Sequence, residues 1–109
     1  IVGRSKDLII SGGYNVYPKE IELLLDGLDG VLETALIGIP HPDLGEGVVA
    51  VIVPQSGAIL DQVTILAELK DKIARFKHPK RIVFLEELPR NSMGKVQKIV
   101  LRERFAKLF

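Results

Sequence analysis

Cysteine is absent from all 109 residues, which excludes disulfides, thiolate metal ligands and cysteine nucleophiles. That absence agrees with a cytoplasmic protein. No apolar run approaches the roughly twenty residues that a membrane-spanning helix needs, so no span is expected. Secretory and transit patterns are missing too. Aromatic residues make up only 6%, and no nucleic-acid-binding module accompanies them, so nucleic acid is not expected as a partner. Internal repeats and low-complexity linkers are absent. The chain begins Ile1-Val2-Gly3 without an initiator methionine and is read as a fragment of a longer protein.

What remains is the balance of one small globular domain, with 47% hydrophobic and 27% charged residues. The net charge of +1 hides an asymmetry. Residues 1–74 carry five Lys/Arg against eleven Asp/Glu, a net of −6, and residues 75–109 carry ten against three, a net of +7. Such a basic tail attracts polyanions, or else forms a solvated helix face.

Two short apolar runs flank Gly12-Gly13 and predict a tight hairpin, because both glycines can take positive φ. Pro18 suits the first position of a helix, with Glu20 and Glu22 near its positive end. Ile21, Leu24, Leu25 and Leu28 then make one apolar stripe, ended by Gly27 or Gly30. Residues 34–39 read as a strand stopped by Pro40-His41-Pro42-Asp43. The apolar residues 48–53 read as a central strand covered on both faces. Asp61 can cap a helix running to about Phe76, with Leu66, Leu69 and Ile73 inward. Residues 81–85 make a further strand, and a terminal helix starts near Gln97 with Ile99, Val100 and Phe105 as its buried side. The expected fold is α+β: a small two-layer sandwich with a short mixed sheet, flanking helices and an N-terminal β-hairpin.

Pro89-Arg90-Asn91-Ser92-Met93-Gly94-Lys95-Val96-Gln97-Lys98 places a lysine on a loop just before helical periodicity. Such a loop can carry one ammonium to an anion held elsewhere. A phosphate-binding P-loop is excluded, because position 89 is proline where that motif needs glycine and Val96 stands where it needs Ser or Thr. His41 and His78 lie far apart, each beside a proline and without metal-ligand spacing, so no metal site is expected.

About eighty residues upstream of that lysine stand Gly3-Arg4-Ser5-Lys6-Asp7 and then Gly12-Gly13-Tyr14-Asn15-Val16-Tyr17-Pro18-Lys19-Glu20-Ile21-Glu22. In this order the two motifs resemble the C-terminal domain of the adenylate-forming enzymes, which include acyl-CoA synthetases, peptide-synthetase adenylation domains and beetle luciferases. The resemblance spans nearly the whole chain. It implies that residues 1–6 are the end of a large N-terminal domain and its hinge, and that residues 7–109 are the C-terminal mobile domain. Lys95 matches the adenylation lysine that bridges carboxylate, α-phosphate and ribose. Arg4 matches a residue beside the nucleotide ribose, and Lys6 the hinge, which must absorb a large backbone rotation. Ser11, Gly12 and Gly13 match the hairpin that approaches the pantetheine arm of CoA. Phe76-Lys77-His78-Pro79-Lys80-Arg81 is a dense basic turn that could meet the CoA 3′-phosphate, although ordinary solvated charge accounts for it better. Beetle luciferase has a lysine where this chain has Ile10, which argues against luciferase-type oxidation.

The implied substrates are ATP, CoA and a small carboxylic acid, with Mg2+ expected in the large N-terminal domain. Residues 15–22 and 92–98 look most like those of malonyl-CoA synthetases. Fatty acyl-CoA synthetases, a peptide-synthetase adenylation domain and a non-catalytic free-standing binding domain are the alternatives. The loop also looks like the segment of bacterial acyl-CoA synthetases that protein acetyltransferases modify, so an acetyltransferase and a deacetylase acting on Lys95 are further expected partners.

Overall fold

The computed structural model describes residues 8–73 and 77–109. The chain order is β1 (Ile9–Ser11), β2 (Tyr14–Val16), α1 (Pro18–Asp26), β3 (Val31–His41), β4 (Gly45–Pro54), α2 (Gln62–Leu69), β5 (Arg81–Phe84) and α3 (Lys98–Arg104). The five strands form one open sheet in the order β2-β1-β4-β3, with β5 also on β4.

β4 organises the sheet. β3 pairs antiparallel with it along its whole length, from Val31 opposite Pro54 to His41 opposite Gly45. Its other side is shared. β1 touches it at Ser11 opposite Gly45, and β5 runs parallel to it from Val49 opposite Arg81 to Ile52 opposite Phe84. A parallel partner needs a crossover, which α2 supplies. The sheet is therefore mixed but mostly antiparallel.

Alternation along β4 divides the core in two. Val48, Ala50 and Ile52 pack with Ile21 and Leu25 of α1 and Ile65 and Leu69 of α2. Val49, Val51 and Val53 pack on the other face with Ile37, Ile39, Leu88 and Leu101 of α3. Both faces of the central strand are covered, as its unbroken apolar run requires.

The local signals act as their chemistry dictates. Pro18 opens α1 and Gly27 caps it. The Asp61 carboxylate accepts the Thr64 N–H at 2.8 Å and starts α2. Several details differ from the sequence reading, and β3 and β4 both extend beyond the residues 34–39 and 48–53 expected. β3 continues through Pro40 to His41. It is an edge strand, where a missing N–H can face away from the partner. α2 ends at Leu69, short of Phe76, which lies outside the described residues, and Ile65 is its second buried residue. In α3 the buried side is Leu101 at 0% exposure, whereas Ile99 and Val100 are 59% and 45% exposed. Phe105, just past that helix, does pack on the core.

Candidate functional site

The segment carrying Lys95 is a closed, hydrogen-bonded turn. Arg90 and Val96 pair across its neck, and Gln97 N–H donates to the Pro89 carbonyl at 2.8 Å. Inside, Asn91 is the knot. Its Oδ1 accepts the N–H of Met93 at 2.9 Å and of Lys95 at 3.0 Å. Its own N–H donates to the Lys95 carbonyl, and its carbonyl accepts from Gly94. Asparagine suits this task because its side-chain oxygen substitutes for a backbone carbonyl two residues on. Gly94 sits at φ 81, a left-handed conformation that residues with a side chain rarely adopt.

Arg90 fastens the turn to the sheet. Its Nη1 donates to Glu33 Oε2 on β3 at 3.1 Å, Nη2 donates to Glu33 Oε1, and Nε donates to the Gly94 carbonyl. The hydrogen bond to Glu33 holds the Arg90 guanidinium above even its ordinary high pKa range.

Lys95 thus has both backbone polar groups bound, with Gln97 Nε2 as a second donor to its carbonyl. Its side chain is exposed. Among the described residues no acceptor takes its ammonium. A fixed stem with an open cation at its tip is suited to neutralising charge on a docked anion.

The glycine hairpin is built separately. Gly12 and Gly13 take φ 58 and 84, and Gly12 N–H donates to the Leu44 carbonyl at 2.9 Å. A Cβ on Gly12 would press Leu44 at 3.2 Å, whereas one on Gly13 would meet open space. Ser11 is buried. A shallow cavity of about 160 Å³ lies between Ser11, Gly12, Tyr14, Leu44 and Lys80. Among the described residues of the basic turn, Lys80 is the one that lines this cavity. Lys77 instead pairs with Glu20 at 2.7 Å, and His78 Nε2 lies 3.2 Å from the Ile73 carbonyl. His41 shapes the adjoining turn, since its Nδ1 accepts the N–H groups of Asp43 and Leu44. Among the described residues no three His, Asp or Glu side chains converge as a metal site would require. Arg4 and Lys6 lie outside the described residues.

The two sites stand at opposite ends of the β3–β4 ribbon. Glu33, which anchors the lysine turn, is eight residues from His41, which pairs with Gly45 beside Ser11. At strand rise that separation is about 27 Å. Glu33 gave no local signal, because its partner lies 57 residues away in sequence.

The chain is similar to known proteins over nearly its whole length. The chain is 49% identical to indoleacetate–CoA ligase of Aromatoleum aromaticum over 96% of its own length, which is 21% of that protein. It is 44% identical to long-chain-fatty-acid–CoA ligase FadD13 of Mycobacterium tuberculosis over 97% of its length and 21% of the relative. Among solved structures, apo MatB from Rhodopseudomonas palustris superposes with a TM-score of 0.93 at 55% identity, over 99% of this chain and 22% of that one. Its ATP-bound form matches with the same TM-score at 54% identity. The chain therefore spans about a fifth of the length of these relatives. The model of the AMP-binding enzyme C-terminal domain matches residues 20–95, from the first turn of α1 to the lysine itself, and to that family this chain belongs.

Proposed function

We propose that this chain is the C-terminal moving domain, residues 7–109, of an AMP-forming acyl-CoA synthetase, with residues 1–6 ending the large N-terminal domain and Lys6 as the hinge. The observation that carries the reading is the exposed Lys95 side chain on a turn that binds both the N–H and the carbonyl of that lysine. In the first half-reaction a carboxylate oxygen attacks the α-phosphorus of ATP, and the bond to pyrophosphate breaks. Negative charge crowds at that junction, and Lys95 spans it, with Arg4 beside the ribose. At an effective dielectric of about 20, a unit charge near 4 Å contributes roughly 4 kcal/mol.

In the second half-reaction the CoA sulfur attacks the acyl carbonyl and AMP leaves. The domain rotates so that Ser11, Gly12 and Gly13 flank the pantetheine arm, which the open space at Gly13 admits. The separation of the two sites supports this division, because one cleft cannot receive both ends of the ribbon together. The Mg2+ that accompanies ATP is proposed to be held by the large N-terminal domain, as the family resemblance implies. An exposed Lys95 is also open to acetylation, which would remove its charge. No helix among the described residues is long and apolar enough to cross a membrane, and a cytoplasmic location is part of the proposal.

Malonate is the proposed acid. The resemblance of residues 15–22 and 92–98 to malonyl-CoA synthetases supports it, and the likeness to MatB exceeds that to the aryl-acid and fatty-acid ligases. The test is a screen of the full-length enzyme against malonate, methylmalonate, acetate and fatty acids, read by pyrophosphate release. Malonate is expected to give the highest kcat/KM, with the 109-residue domain alone inactive. Preference for a fatty acid would overturn the malonate reading, and turnover by the isolated domain would overturn the two-domain reading.

A further inference from the structure

The Lys95 turn is tethered to one strand on both flanks. Before it, Arg90 holds Glu33 on β3. After it, Lys98, the first residue of α3, places Nζ 2.7 Å from Glu22 Oε2 on α1. The same oxygen accepts the Leu36 N–H at 2.8 Å, on the side of β3 that β4 does not pair. The two tethers reach β3 three residues apart, at Glu33 and Leu36, or about 10 Å by strand rise.

The second tether is unlike an ordinary surface pair. Its side chains are only 19% and 16% exposed. Lys72 and Glu68, by contrast, are about half exposed and 3.9 Å apart. A shielded ion pair contributes no more stability than an apolar pair of the same shape. What it adds is a short, directional, charge-assisted contact. Arg90 fixes the chain as it enters the turn, and its pairing with Val96 closes the neck. Pinning Lys98, three residues after Lys95, fixes the direction in which the chain leaves the turn, and so the direction of the lysine side chain.

We propose that Glu22 and Lys98 are positioning residues for adenylation, setting where the Lys95 ammonium points while touching no substrate; this rests on the function proposed above. The test uses the full-length enzyme and both half-reactions. Glu22→Gln keeps an acceptor for the Leu36 N–H and deletes the charge. Lys98→Met deletes the other charge at similar chain length. Each is expected to lower kcat for acid-dependent ATP–pyrophosphate exchange about tenfold, since small misplacements of a reacting group carry penalties of that order or more. KM for ATP and the rate of thioester formation from supplied acyl-adenylate and CoA should stay within about twofold, which also shows that the domain is folded. The double variant should be no slower than either single one, the signature of a coupled pair. Lys98→Arg should recover most of the loss. Equal loss in both half-reactions, unchanged exchange, or Lys98→Arg as slow as Lys98→Met overturns the proposal. Lys95→Ala run alongside separates the two readings. Normal exchange in Lys95→Ala overturns the function itself, whereas impaired exchange there with normal exchange in the Glu22 and Lys98 variants overturns the positioning alone.

Discussion

A lysine can join a carboxylate to a phosphate only when its ammonium arrives unpaired and its backbone stays put. Asn91 meets the second condition by accepting from both Met93 and Lys95, and Arg90 meets it by gripping Glu33. The first condition follows from exposure. Elsewhere, single residues set element boundaries in ways a titration can read. Asp61 caps α2, and its bonds to the Thr64 backbone and hydroxyl hold its carboxyl below the usual carboxylate range. A lowered folded-state pKa means stability present above the unfolded value and lost as pH falls through the folded one. Asp61→Asn keeps a capping oxygen but not the charge. Wild type should therefore have the higher urea midpoint at pH 7, with the gap closing below about pH 4. A gap that stays constant down to pH 2 would show that the carboxylate charge contributes nothing.

At the scale of elements, α3 gives the clearest test. Leu101 is fully buried against β3 and β4, so Leu101→Ala should destabilise the domain by about 2–5 kcal/mol. Ile99→Ala, at an exposed position, should change it by no more than about 0.5 kcal/mol in a denaturant titration. The reverse ranking would place the wrong face of α3 on the sheet. Sequence periodicity alone pointed to Ile99 and Val100. Ile99, Val100 and Leu101 are consecutive apolar residues, but only Leu101 continues at i+4 and i+7 into Phe105 and Leu108, and that is the stripe the structure buries. Features set by adjacent residues were legible: the Gly12-Gly13 hairpin, Pro18 opening α1, Asp61 capping α2, and the apolar run of β4. Pro40 misled because its usual meaning is a stop, and only the pairing shows that it lies on an edge. The lysine turn was legible as a turn, but Glu33 and Glu22, which orient it, were not. Each lies tens of residues from its partner, where no local pattern reaches.

On the scale of the whole molecule, the charge asymmetry is folded into cross-chain pairs. Lys77 meets Glu20, Arg90 meets Glu33 and Lys98 meets Glu22, each joining the basic C-terminal third to the acidic remainder. Lys95 is left out of this matching, and it stands at the end of the ribbon remote from the glycine hairpin. That arrangement suits a domain that presents one end for adenylation and the other for thioester formation. Under the proposed function, binding at two remote faces in turn requires rotation of the whole body. The most direct test is Lys95→Ala in the full-length enzyme, with the two half-reactions assayed apart. Loss of a donor aimed at developing charge should slow adenylate formation about 10²–10³-fold. Thioester formation from supplied acyl-adenylate should proceed within about twofold of wild type. Equal slowing of both steps, or none of the first, would contradict the account.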